Sequence, residues 1–189
     1  MVDRSIVITA RESRLLEAAR GGDAVAFSSL VGETAPALER LALRMVGHRH
    51  DAEDIAQDAV LTAWKRLSGF RGESRFKTWI SRILVNRALD VLRRRKAAAE
   101  VVETTAPGAD PVAHASEREL EHHVRRAIEQ LPPVQRATIL LRADQGLSYD
   151  EIAYVLGSTR NAVRMNLVAA RKRLAIQLKG IVDVGGRDE

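Results

Sequence analysis

Residues 147–174 read LSYDEIAYVLGSTRNAVRMNLVAARKRL. Ser148 followed three residues later by Glu151 is a capping box, and it opens an apolar-periodic helix that reaches Leu156. Gly157 makes the turn, and a longer helix starts near Ser158 or Thr159. The pattern is that of a helix-turn-helix. A helix presented to DNA by its N-terminus fits the major groove, where its early polar side chains reach base edges or phosphates. Arg160, Asn161 and Arg164 are the candidates. Ala162, Val163, Leu167, Ala170 and Leu174 form the opposite, core-facing stripe, while Arg171, Lys172 and Arg173 are available to backbone phosphates. A plain helical hairpin with a solvated basic face is the bland alternative, but it does not require box, glycine turn and cations to coincide.

Upstream of this unit, Leu120, Val124, Ala127, Ile128 and Leu131 give another helical stripe, stopped by Pro132. Pro133 begins the next helix, through Ile139 and Leu140, which ends at Gly146. Before that, residues 97–115 change character: small residues, Pro107, Gly108, Pro111 and three acids predict a flexible linker.

The amino-terminal part reads as one helical bundle. A helix runs from Thr9, boxed with Glu12, to Arg20, and Asp23 caps a second carrying Phe27, Leu30 and Val31. Pro36 is expected to interrupt or restart it, so that Leu38, Leu41, Ala42 and Met45 belong to a third. After the turn 47–50, Asp51 caps a helix with Ile55, Val60, Ala63 and Trp64 inward. A basic helix from about Ser74 to Lys96 follows, burying Ile80, Ile83, Leu84 and Ala88. Sustained period-two alternation and hairpin turn signals are lacking, so strands have no support.

Composition narrows the partners. The 189 residues carry a net charge of +5 and 46% hydrophobic content, enough for one modest core or two small ones and suited to a polyanionic partner. With no cysteine, the chain has no disulfide and no thiolate metal site, which suits a reducing cytoplasm. No uncharged apolar run approaches the roughly eighteen residues of a spanning helix, so neither export nor membrane insertion is expected.

Two further stretches carry chemistry. In FRGESRFKTWISRILVNRALDVLRRRK, residues 70–96, cations interleave with Phe70, Phe76 and Trp79. Cations follow phosphates, and aromatic faces stack on unpaired bases at roughly 1 to 3 kcal/mol each. Trp79, flanked by Ile80 and Ile83, reads as core, and Phe70, in a glycine-bounded loop, is the better stacking candidate. In HRHDAEDIAQDAVLTAWKRL, residues 48–67, Asp54, Gln57, Asp58 and Leu61 share a face that suits a partner, although a solvated acidic face has the same pattern.

Taken together, DAEDIAQDAVLTAWKRL, FRGESRFKTWISRILVNRALDVLRRR, LPPVQRATILLRADQGLSYDEIAYVLG and AARKRL resemble the extracytoplasmic-function (ECF) class of sigma factors, in order and at the right separations. The resemblance implies an all-α protein of two small helical domains: a sigma-2 bundle (9–96), a flexible linker (97–115), a sigma-4 helix-turn-helix domain (116–179) and a tail (180–189). It implies an alternative sigma factor that binds RNA polymerase core through the beta and beta-prime subunits and directs it to promoter DNA. By position, Asp54, Gln57, Asp58 and Leu61 fall to polymerase binding. Phe70, Arg71, Phe76, Lys77, Trp79, Asn86, Arg87, Arg93 and Arg94 fall to melting and holding the minus-ten element, and Arg160, Asn161, Arg164, Arg171 and Lys172 to reading the minus-thirty-five element. No catalytic residue, metal or cofactor is implied, and the class is usually held by an anti-sigma factor, which would keep a cytoplasmic protein indirectly at the membrane.

The recognition helix departs from the family pattern. Where the family usually reads S-x-G-T-V-K-S-R-L-H-R-A-R, this chain has T-R-N-A-V-R-M-N-L-V-A-A-R over residues 159–171, so several phosphate-contacting positions are uncharged or apolar. Two rival readings exist. A one-component regulator would use the helix-turn-helix without polymerase. A phosphohydrolase would assemble a metal site from His48, His50, Asp51, Glu53, Asp54 and Asp58, yet no second acidic cluster completes it and the acids serve as helix-start charges.

Overall fold

A computed structural model describes residues 8–101 and 117–182. Among them lie eight α-helices, one 3-10 turn (Leu67–Gly69) and no strand. The helices are α1 Ala10–Arg20, α2 Ala24–Val46, α3 Arg49–Arg66, α4 Phe76–Val101, α5 Glu117–Glu129, α6 Pro133–Ala143, α7 Tyr149–Leu156 and α8 Arg160–Val182. Local chemistry sets several of these ends. Asp23 accepts from the Val25 and Ala26 amides at 2.8 and 3.0 Å. Ser148 and Glu151 close a full reciprocal box at 3.2 and 2.9 Å. Thr9 accepts from the Glu12 amide at 3.1 Å, but the Glu12 carboxylate turns away to take the Phe76 amide at 2.7 Å, tying α1 to the start of α4. Gly157, at φ 59°, supplies the left-handed turn between α7 and α8. In the sequence Ser116 and Glu119 have the same capping-box spacing, but Ser116 lies outside the described residues.

Three local expectations are corrected. Pro36 does not break the chain: α2 is one helix with the proline inside it. Pro36 lies on the exposed side, while Leu30, Thr34, Leu38, Leu41 and Met45 form one buried stripe on the other. Packing along that stripe outweighs one missing hydrogen bond. Next, α3 begins at Arg49 with His48 at its cap, and Asp51 lies in the first turn, paired with Arg95 of α4. Arg95 also donates to the Val46 carbonyl at 3.1 Å, closing the end of α2. Finally, Trp64 is not inward: it is 38% exposed, its ring tilted against Phe27 at 4.9 Å.

The α3 face toward α2 and α4 carries Ala52, Ile55, Ala59 and Ala63, and these mostly small side chains let the helices pack closely around Leu38, Leu41, Met45, Phe76, Ile80 and Leu84. In the carboxy-terminal part, Leu140 and Leu141 of α6, Ile152 and Val155 of α7 and Val163, Leu167 and Ala170 of α8 form the matching core. The two cores are continuous, because α7 lies on α4 and α6 on α2. Helix α4 runs on to Val101, into the stretch read as linker, and residues 102–116 are outside the described part.

Candidate nucleic-acid interface

The α3–α4 pair presents an open cleft of roughly 890 Å³ whose walls include Asp58, Arg66, Trp79, Arg82, Asn86 and Arg87. Its position follows from helical periodicity: Trp79, Arg82, Ile83, Asn86, Arg87 and Asp90 recur at three- and four-residue steps and line one side of α4. Trp79 is half-buried, with one face against Phe70 at 4.9 Å, while Asn86 and Arg87 are exposed. Arg87 forks onto a single carboxylate oxygen of Asp58 at 3.0 and 2.7 Å, so a residue assigned to DNA is paired with one assigned to polymerase. Arg93 and Arg94 lie two turns further on, both exposed, with Arg93 paired to Asp90 at 2.8 Å.

Phe70 and Phe76 are not available to bases in this arrangement. Phe70 is 3% and Phe76 1% exposed. The Phe70 ring is held by Phe76, by Trp79 and by the Arg20 guanidinium 5.8 Å above it, and the same arginine donates to the Phe70 carbonyl. Glycines on both sides make the loop look open in sequence, but α1 covers it from fifty positions away. The aromatic side chains that do line the cleft are Trp79 and, at its end, Tyr154.

On the other side of α3, Asp54, Gln57 and Leu61 are exposed, and Asp58 is half-buried. His50 approaches Asp54 at 3.3 Å, and Leu61, 57% exposed, borders an apolar groove with Val31, Ala35 and Val60. On α8, Arg160 pairs with Asp150 at 2.8 Å and Arg164 donates to Asn161 at 3.1 Å, with Arg171 and Lys172 exposed beyond them.

Three residues between the halves carry contacts that sequence reasoning did not assign. Tyr154 of α7 closes one end of the α4 cleft, with the Arg82 guanidinium 4.7 Å from its ring centroid. Gln145 donates to the Ala37 carbonyl at 3.0 Å and accepts from Lys77 at its own carbonyl at 3.4 Å. Arg136, buried, donates to the carbonyls of Met45, Glu129 and Leu131. Its signal was present: an arginine four residues before Leu140, in phase with an apolar stripe, needs buried acceptors. Burial holds the Arg136 and Lys77 pKa values below their ordinary ones; for Lys77 the cations Arg40 and Arg75 add to this and Glu151 opposes it.

Comparison with known proteins fits this geometry. Residues 30–98 match Sigma-70 region 2 and residues 122–174 match Sigma-70, region 4. The chain is 37% identical over 177 residues to the ECF RNA polymerase sigma factor SigM of Mycobacterium tuberculosis, covering 92% of this chain and 87% of that protein. The chain belongs to the ECF sigma factors. Another relative, the RNA polymerase sigma-H factor of Pseudomonas aeruginosa, is 32% identical over 177 residues, 87% of this chain and 92% of that one. Among solved structures, CnrH in complex with the cytosolic domain of CnrY aligns with a TM-score of 0.70 at 29% identity, over 90% of this chain and 98% of that one. The sigma factor RpoE of Bartonella quintana, in complex with the anti-sigma factor NepR, aligns at 0.67 and 26% identity, over 81% and 96%. As an ECF sigma factor the chain is an alternative sigma factor, directing polymerase core to promoters. The one-component regulator reading is not favoured.

Proposed function

We propose that the three exposed faces divide promoter initiation between them. The outer face of α3, with Asp54, Gln57, Asp58 and Leu61, docks on core. The α4 cleft, with Trp79, Asn86 and Arg87 and the exposed cations Arg71, Arg93 and Arg94, holds the unpaired minus-ten strand; Lys77, packed against Gln145 between the halves, reaches DNA only if they part. The exposed side of α8, with Arg160, Asn161, Arg164, Arg171 and Lys172, reads the minus-thirty-five duplex. The observation that carries this reading is the chemistry of the α3–α4 pair. Acids and an exposed leucine stand on one side, and a tryptophan, an asparagine and cations stand on the other, which suit a protein surface and a single strand respectively. The division by domain, 9–96 against 116–179, is part of the proposal, and it gives the chain no reaction of its own.

Control by an anti-sigma factor completes the reading. RpoE was solved with the anti-sigma factor NepR, and CnrH with the cytosolic domain of CnrY. In this chain Tyr154 and α7 lie across the end of the α4 cleft, so an inhibitor that favours this closed arrangement would withhold the cleft from DNA. Among the described residues no helix is long and apolar enough to cross a membrane, so membrane association would come through the partner. The test is a charge reversal, Asp54→Lys with Gln57→Ala. It should lower core affinity in a pull-down at least tenfold with unchanged helical circular dichroism, since both side chains are exposed. Unchanged core affinity would exclude this docking face.

A further inference from the structure

Met165 and Val168 are 58% and 59% exposed on a helix whose other exposed residues are mostly polar or charged. At roughly 100° per residue, the buried Val163, Leu167 and Ala170 of α8 point one way. Asn161, Met165, Val168 and Lys172 fall within an arc of roughly 60° almost opposite. The two apolar side chains thus stand at the outward pole of the recognition helix, in its first turns, between an amide and an ammonium. Cations bracket them: Arg164 and Arg171 on one flank, Arg173 on the other, all exposed. Two walls of positive charge about an apolar ridge match a major groove, whose phosphates line both edges and whose floor presents the C5-methyl of thymine as its one apolar feature.

We propose that Met165 and Val168 are specificity-determining residues that read thymine methyl groups in the upstream promoter element. The inference rests on the placement of α8 proposed above and deepens it. Arg160, by contrast, sits toward the side of the helix, paired with Asp150, and contributes to position more than to sequence. The polar residues usual at these two positions would seek hydrogen bonds from base edges; a thioether and an isopropyl group gain only by covering a methyl and excluding water from it. Two apolar groups a turn apart favour two thymines in neighbouring steps of the duplex.

The experiment transcribes templates randomised across the upstream element with core and the full chain, then replaces each enriched thymine by deoxyuridine, which lacks only the methyl. One or two replacements should cut output roughly fourfold each, the worth of one buried methyl. The double variant Met165→Ser, Val168→Ser should lose both the thymine preference and the deoxyuridine penalty, while Met165→Leu should keep them. Because both side chains are exposed, the fold is not at stake. Enriched thymines whose methyls do not matter, or a serine variant with the same penalty, would overturn the inference alone. A serine variant that loses core affinity with its base preference intact would overturn it in favour of a protein contact. Absence of any upstream preference would remove the placement of α8 as well.

Discussion

Phe70 and Asn86 separate two ways in which a residue of the melting segment can matter. Phe70 is packed on every side by Phe76, Trp79 and Arg20, so Phe70→Ala removes a buried ring and should cost roughly 3 to 5 kcal/mol of stability. Its transcription defect should then be equal on duplex and premelted templates. Asn86 stands exposed on the cleft, so Asn86→Ala should leave the melting temperature unchanged and slow open-complex formation on duplex DNA more than on a premelted bubble. Stopped-flow promoter opening on the two templates, with thermal unfolding of both variants, checks the pair. A selective duplex defect in Phe70→Ala at native stability, or an unfolded Asn86→Ala, would reverse these assignments. The polar candidates were legible in sequence because their helix phase is. The aromatic ones were not, because what covers Phe70 comes from α1, and no local pattern reports a contact fifty positions away.

Among the elements, the helix starts at Thr9, Asp23, Pro133 and Ser148 and the turn at Gly157 are written in short-range chemistry and were readable for that reason. Helix α2 was not, because Pro36 has the same local signature whether a helix stops or merely tolerates it. What decides is the unbroken buried stripe on the far side, which belongs to packing against α3 and α4. A tolerated proline still withholds one amide and strains its turn, and Pro36 is exposed, so its replacement sacrifices no packing. Pro36→Ala should therefore stabilise the chain by roughly 1 to 3 kcal/mol, read as a rise in thermal midpoint. A lower midpoint would mean that the proline fixes the path of α2 instead.

At the scale of the whole molecule, the packing of α7 on α4 and α6 on α2 was not foreseeable from two separable sequence patterns. Beside the shared apolar core, it is held by polar contacts between distant positions: Arg44 with Asp144, Thr78 with Glu151 at 3.2 Å, Gln145 with Ala37. One of them gives a pH dependence. Lys77 is half-buried between the halves, and burial lowers its pKa below the ordinary 10.5. Over the window between that lowered value and 10.5, the closed arrangement binds fewer protons than an open one, so closure strengthens as pH rises through it and weakens as pH falls. The chain has no cysteine, so Lys65→Cys with Lys179→Cys gives a unique label pair. Energy transfer between them should rise toward alkaline pH, and Lys77→Met should flatten the rise. A rise unchanged in the methionine variant would assign it to other groups.

If this ECF sigma factor brings core to promoters through its own faces alone and is silenced only from outside, purified components suffice for transcription. Full-length chain added to polymerase core should yield promoter-specific run-off product from duplex DNA with no ligand and no modification. Product that appears only after a small molecule is added or the chain is phosphorylated would contradict it.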